Sequence, residues 1–359
     1  MKGCDKIEDY NSITNIETLE SLDFSYTNIS DISIIAKNKN IKELYLKNCQ
    51  NIEDFTPIYK LEKLENVNVS DTNISDISFL VKNKNIKELN LEGCKNFKDF
   101  TPISKLERLE YLDISYTNIS DISFLDKNKK LKKLNLKGCE NIKDFTPISK
   151  VERLVNLNVT ETNIADISFL EKNKNIKELC LHYCGNIKDI NPISKSETLE
   201  ILDVSFTNIS DIPLLEKNKK IKVFYLYRCQ NIKDFTLISK LETLENLDVN
   251  FTNISDISFL VKNKNIKELN LECCKNIKDF TPISKLERLE YLDVSYTNIS
   301  DISFLKKNKN IKELNLLGCK NIGENDKIFK NRDIIIFYNF HLYHIENKII
   351  IKIQLLNKC

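Results

Sequence analysis

The chain has no tryptophan, one methionine, three histidines and only six glycines and six prolines in 359 residues. With His182, His341 and His344 as its only imidazoles, it has little from which to build a histidine metal centre or a nucleophilic triad. Neither an H-E-x-x-H pair nor a phosphate-cradling G-x-x-x-x-G-K-[ST] loop occurs. No apolar run approaches 18 residues, so no transmembrane helix or membrane insertion is expected. The opening "MKGCDKIEDYNS" lacks the apolar stretch of a secretory signal. The expected location is therefore cytoplasmic, with eleven cysteines kept as thiols. A net charge of +2 gives bulk electrostatics no hold on nucleic acid or membrane.

What the chain does have is repetition. "NIKELNLEGCKN" begins at Asn85, and its close copies place Cys49, Cys94, Cys139, Cys184, Cys229, Cys274 and Cys319 at intervals of 45 residues. Each 45-residue block has two halves, such as "LEYLDISYTNISDISFLDKNKK" (109–130) and "LKKLNLKGCENIKDFTPISKVER" (131–153). Both open on L-x-x-L-x-L, with Leu109, Leu112 and Ile114 in one and Leu131, Leu134 and Leu136 in the other. The period of two in L-x-L predicts a short strand with its aliphatics on one face. The later spacing of three, at Ile119, Ile122 and Leu125, predicts a tight helical turn or extended chain returning on the far side. In second halves Thr146 is expected as N-cap with Pro147 at the first helical position, and Asp121 and Asp144 precede such turns.

On these motifs the chain resembles the leucine-rich repeat proteins. First halves are similar to the internalin-like "LxxLxLxxTxIxDIxxL" and second halves to a cysteine-containing "LxxLxLxxCxxIxDxxxI". The resemblance implies an α/β leucine-rich-repeat solenoid, with a curved parallel β-sheet on its concave face and short 3-10, α or extended segments on its convex face. Fourteen repeats over 19–322 are expected, preceded by a half-repeat cap at 1–18. A C-terminal cap at 323–359, drawn as a β-hairpin, is expected to follow; a degenerate repeat with Ile334 and Phe337 in frame is the alternative. The resemblance also implies that Thr117 and Cys139 lie inside the strand exits, where a small group fills the bend, and that the usual activity is binding a protein.

Comparison of each position with its own copies exposes two neighbouring breaks in the pattern, "ELCLHYC" and "VFYLYRC". With the strand between them they gather His182, Tyr183, Ile201, Asp203, Phe206, Val223, Tyr225, Tyr227 and Arg228, a composition of aromatics and arginine suited to a protein contact. Cys180, His182 and Cys184 have metal-ligand chemistry, but Cys180 and His182 face outward on the strand while Cys184 belongs to the inward cysteine ladder, so the three are not expected to converge. "KNKN" recurs before second-half strands and stacks Lys82, Lys84, Lys127, Lys129, Lys172 and Lys174 into a basic ridge, extended by Lys87, Lys132 and Lys177. The reading is a monomeric, cofactor-free, non-enzymatic scaffold that binds a protein partner through its concave face. The alternative is an anionic ligand, RNA or an acidic surface, held on the ridge; no aromatics interleave there to stack on bases.

Overall fold

A three-residue strand forms at each of the fourteen predicted L-x-L frames. The computed structural model describes Ile16 and residues 18–213, 215–319, 322 and 334–337. These divide into two units at Ile187 and Lys188. The first carries β1 (Ser21–Asp23), β2 (Glu43–Tyr45), β3 (Asn66–Asn68), β4 (Glu88–Asn90), β5 (Tyr111–Asp113), β6 (Lys133–Asn135), β7 (Asn156–Asn158) and β8 (Glu178–Cys180), each paired in parallel with the next. The second carries β9 (Ile201–Asp203), β10 (Val223–Tyr225), β11 (Asn246–Asp248), β12 (Glu268–Asn270), β13 (Tyr291–Asp293), β14 (Glu313–Asn315) and β15 (Ile335–Phe337), again parallel in sequence order. Alternation explains why so short a strand suffices: Leu112 and Ile114 are fully buried, while Tyr111 between strand edge and solvent is only half-buried.

The chain returns through 3-10 turns, such as Ser123–Asp126 in a first half and Thr146–Lys150 in a second. Thr146 is not the cap that its sequence position suggests. It is already the first residue of the turn, and its N–H is satisfied by Asp144 Oδ1 at 2.8 Å. Asp121 does the same for the N–H of Ser123 at 2.8 Å and also accepts from its hydroxyl at 3.0 Å. These bonds favour the charged carboxylate, and the Thr146 contacts hold Asp144 below its usual pKa.

Two buried ladders tie successive coils together. Cys139 Sγ donates to Ile114 O at 3.1 Å, and Thr117 Oγ1 donates to the same carbonyl at 2.7 Å. Thr–Cys pairs repeat this from Thr27 and Cys49, on Phe24 O, to Thr297 and Cys319, on Val294 O. The second ladder was hidden inside "KNKN". Asn128 is fully buried, and its Nδ2 donates to Ile103 O and Leu106 O, both at 3.0 Å. Asn173, Asn218 and Asn263 repeat this double bond. Each amide adds a second donor to carbonyls that already accept a backbone N–H, from Leu106 for Ile103 O and from Leu109 for Leu106 O, and so ties one coil to the next.

Beyond the fourteenth strand, Ile335–Phe337 adds to β14 in parallel, with Ile336 opposite Leu314. That register is one residue earlier than the alternative frame, which needed Phe337 at the inward position. Otherwise the expected caps at 1–18 and 323–359 lie outside the described residues, apart from Ile16, Thr18 and Ile334.

Candidate interaction surface

The outward positions of the strands form one face of each sheet. On β10, Phe224 and the following Leu226 are fully buried, so Val223, Tyr225 and Tyr227 alternate outward and are half-buried. Pairing sets Val223 opposite Ile201 and Asn246, and Tyr225 opposite Asp203 and Asp248. Where each strand leaves the sheet, one residue takes a left-handed conformation: Phe206 (φ 56°), Arg228 (φ 57°) and Phe251 (φ 54°) on three successive coils. This shared turn sets their side chains next to one another. The Tyr227 ring lies 4.7 Å from Phe206 and 5.7 Å from Phe251, edge to face in both pairs. The exposed Arg228 guanidinium lies 5.3 Å from the Phe206 ring, 5.6 Å from Tyr227 and 5.0 Å from Phe251. These are cation–π distances.

Phe251 was missed in the sequence. It occupies the repeat position of Tyr26, Tyr116, Phe206 and Tyr296, so a search for deviant copies passes over it. Asp203, by contrast, presents little surface: it is 7% exposed, and its Oδ1 accepts the N–H of Ser205 at 2.9 Å. Short polar residues at this outward position use the same contact elsewhere, as Asn90 does for Glu92 and Asn270 for Glu272. They shape the strand exit, which their solvent-facing placement had concealed.

His182 and Tyr183 stand at the last exit of the first unit, with ring centroids 4.6 Å apart; His182 is half-buried and Tyr183 exposed. Cys180 is half-buried on β8, whereas Cys184 is buried and bonds Val159 O at 3.1 Å. The three do not converge, and among the described residues no His, Cys, Asp and Glu group is arranged to hold a metal.

Lys82, Lys84, Lys127, Lys129, Lys172 and Lys174 are all exposed, flanking the buried asparagines. Lys87 and Lys132 do not extend that ridge as free charges. They pair with Glu65 at 2.6 Å and Glu110 at 2.7 Å, because the residue before each strand faces its counterpart on the next coil.

A shallow basin of about 440 Å³ opens further along the second unit, lined by Tyr225, Asp248, Glu268, Glu290, Tyr291 and Glu313 among others. Burial, aided by the charges of Asp203 and Asp293, pushes the Asp248 carboxyl up to about 7. The N–H of Asn250 and the amide of Asn270 offset part of that rise. Burial and the nearby Asp293 likewise raise Glu272.

Parallel three-residue strands, 3-10 returns and half-repeats of 22 and 23 residues define a solenoid-class repeat protein with an extended outward sheet face. The chain belongs to the leucine-rich repeat family. Residues 17–60 and 107–150 match "Leucine Rich repeats (2 copies)", and residues 200–323 match "BspA type Leucine rich repeat region (6 copies)". Among solved structures, an internalin (inlF) from Listeria monocytogenes is 25% identical, with a TM-score of 0.61 over 82% of this chain and 80% of that one. A leucine-rich repeat protein of Leptospira interrogans is 19% identical, with a TM-score of 0.79 over 92% and 87%. The functional domain of InlJ from Listeria monocytogenes, which includes a cysteine ladder, is 18% identical, with a TM-score of 0.53 over 86% and 76%. No curated protein sequence matches the chain. Among the described residues no helix is long and apolar enough to cross a membrane.

Proposed function

We propose that the chain is a non-enzymatic scaffold that holds a protein partner on the concave, strand-bearing face. The observation that carries this reading is the Phe206–Tyr227–Arg228–Phe251 cluster beside the outward Ile201, Val223 and Tyr225. Large side chains with a guanidinium, already ordered by mutual packing, lose little freedom on binding, and such groups dominate interface energies. His182 and Tyr183 are assigned as further contacts on the first unit, and Asp203 as a group that positions the exit rather than touching the partner. Cys49, Cys94, Cys139, Cys229, Cys273, Cys274 and Cys319 are free thiols, which suits a reducing, cytoplasmic setting for a monomer.

The test is capture of a partner by the intact chain, followed by affinity measurements on Tyr225→Ala, Tyr227→Ala and Arg228→Ala. Each should weaken binding by roughly 1–4 kcal/mol. Lys133→Ala, an exposed outward position on β6, is the control and should be nearly silent. Asn90 and Asn270 are unsuitable controls because their side chains support strand exits. Equal losses at patch and control would refute the assignment.

A second reading rests on the six exposed ridge lysines, which fit an anionic ligand. RNA held there would lose affinity steeply as salt rises. Its binding would also survive Tyr225→Ala, which separates the two readings.

A further inference from the structure

The charge on the sheet face differs between the two units. In the first, Lys47, Lys133 and Lys137 stand among the outward carboxylates, and Lys47 pairs with Glu92 at 3.2 Å and Asp71 at 3.5 Å. The outward positions of β9 to β14, counted through the residue that follows each buried exit aliphatic, carry Asp203, Asp248, Glu268, Glu272, Asp293 and Glu313. No lysine or arginine occupies any of them. Lys312 lines the basin but is bound to Glu290. Among the described residues, Asp248, Glu268, Glu272 and Glu313 make no ion pair. Glu268 is exposed and held by the Asn246 amide at 2.6 Å, an arrangement that positions its carboxylate without neutralising it.

The shape of this face matches its charge. Tyr225 and Tyr291 rise at either side of the shorter Asn246, Asp248 and Asn270, leaving the basin between two aromatic walls. Beyond Tyr225 the face turns apolar through Val223 and Ile201. An incoming ammonium or guanidinium would find carboxylates below and ring faces beside it, and its aliphatic stem would lie against the tyrosines. The adjoining apolar strip would take a hydrophobic side chain of the same segment.

We infer that the sheet face of the second unit, from Ile201 and Val223 across the Tyr225–Tyr291 basin, docks a lysine- or arginine-bearing segment of a protein partner. This deepens the proposed function and rests on its placement of the partner on the sheet face. Glu268 and Glu313 supply the charge, the two tyrosines the walls.

The test uses the full chain and three fluorescently labelled 15-residue synthetic peptides with identical leucine and serine content. Their variable positions are all lysine, all asparagine or all glutamate. The lysine peptide should bind at least tenfold tighter than the asparagine peptide, and the glutamate peptide should not bind. Glu268→Gln with Glu313→Gln should weaken the lysine peptide tenfold or more. Glu43→Gln with Glu88→Gln, at the same column of the first unit, should change it less than twofold. Melting curves of both double variants establish that they remain folded. Equal loss in the two double variants, or no preference for lysine over asparagine, would overturn the inference. Tight binding of the asparagine peptide that Tyr225→Ala abolishes would also overturn it, while leaving the sheet face as the seat of a protein partner. Failure of the proposed function itself is read separately, from the captured partner and the tyrosine variants.

Discussion

At the residue scale, the thiol of Cys139 shares one acceptor, Ile114 O, with the hydroxyl of Thr117. Burial pushes the thiols of Cys139 and Cys229 up to about 11 and that of Cys274 to about 12. At pH 8 these groups are therefore almost entirely protonated and shielded from reagent. In native labelling at that pH, half-buried Cys273 and Cys180 should react well before Cys139, Cys229 and Cys274; rapid modification of the buried three would end the packing account. Cys139→Ser should cost about 1–2 kcal/mol in urea unfolding, because a shorter and more polar group replaces the thiol while the carbonyl remains available to it. The cysteine ladder was legible because its spacing never varies. The asparagine ladder was not, since the lysines around Asn83, Asn128 and Asn173 give the segment a surface composition. Only the turn of the backbone reveals that the first asparagine of "KNKN" points inward.

At the scale of the element, the strand exit joins coils through shape. Gly138 has φ +67°, and a Cβ built there would sit 2.4 Å from the Tyr116 ring. Gly318 and Tyr296 repeat the arrangement at 2.3 Å. Arg228 adopts the same left-handed backbone without being glycine and stands beside Phe206, the counterpart of Tyr116, so a side chain at Gly138 requires the Tyr116 ring to give way as well as a left-handed backbone. Gly138→Ala should destabilise by about 1–3 kcal/mol, and Tyr116→Ala in the same chain should recover part of that loss. A double-mutant cycle by urea unfolding measures the coupling; strict additivity would show that ring and glycine act independently. The strands themselves could be read from L-x-L. The 3-10 caps could be read only in part, because Asp144 and Thr146 both have capping chemistry and the first N–H of the turn decides between them. The Arg228 cluster was half legible: Tyr227 and Arg228 break the repeat, but Phe251 conforms to it.

At the scale of the whole molecule, a net charge of +2 conceals an acidic sheet face on the second unit and exposed lysines beside the buried asparagines of both units, from Lys82 and Lys84 to Lys307 and Lys309. Asp248 titrates near 7 in the folded chain against an ordinary 3.8. Between about pH 4 and 7 the folded state therefore holds more protons than the unfolded state, and stability falls as pH rises through that window. Asp248→Asn keeps an oxygen for the Asn250 N–H, as Asn68 and Asn158 do for their own exits. The variant should match the parent near pH 4 and exceed it by about 1–3 kcal/mol at pH 8 in urea unfolding. A gain of equal size at both values would dissociate the effect from ionisation.

The ties of the two ladders reach back 22 or 25 residues, and the Asn118 amide reaches 23 to Lys95 O. No ladder tie spans a full 45-residue block, although the surface pair of Lys47 and Glu92 does, and this leaves the length of the array unfixed by its buried chemistry. Removing residues 64–108 would join Lys63 to Leu109 and bring Thr117, Asn128 and Cys139 to the places of Thr72, Asn83 and Cys94. Every severed ladder bond would find its equivalent in the following copy, while the surface pairs of Lys47 with Glu92 and Asp71 would be lost, because Lys137 and Tyr116 take those places. The core of this fold would therefore accept the loss or gain of a block without a seam. What each such loss or gain changes is the outward lettering: one block more or less adds or removes surface residues while the pattern of the core beneath is unaltered.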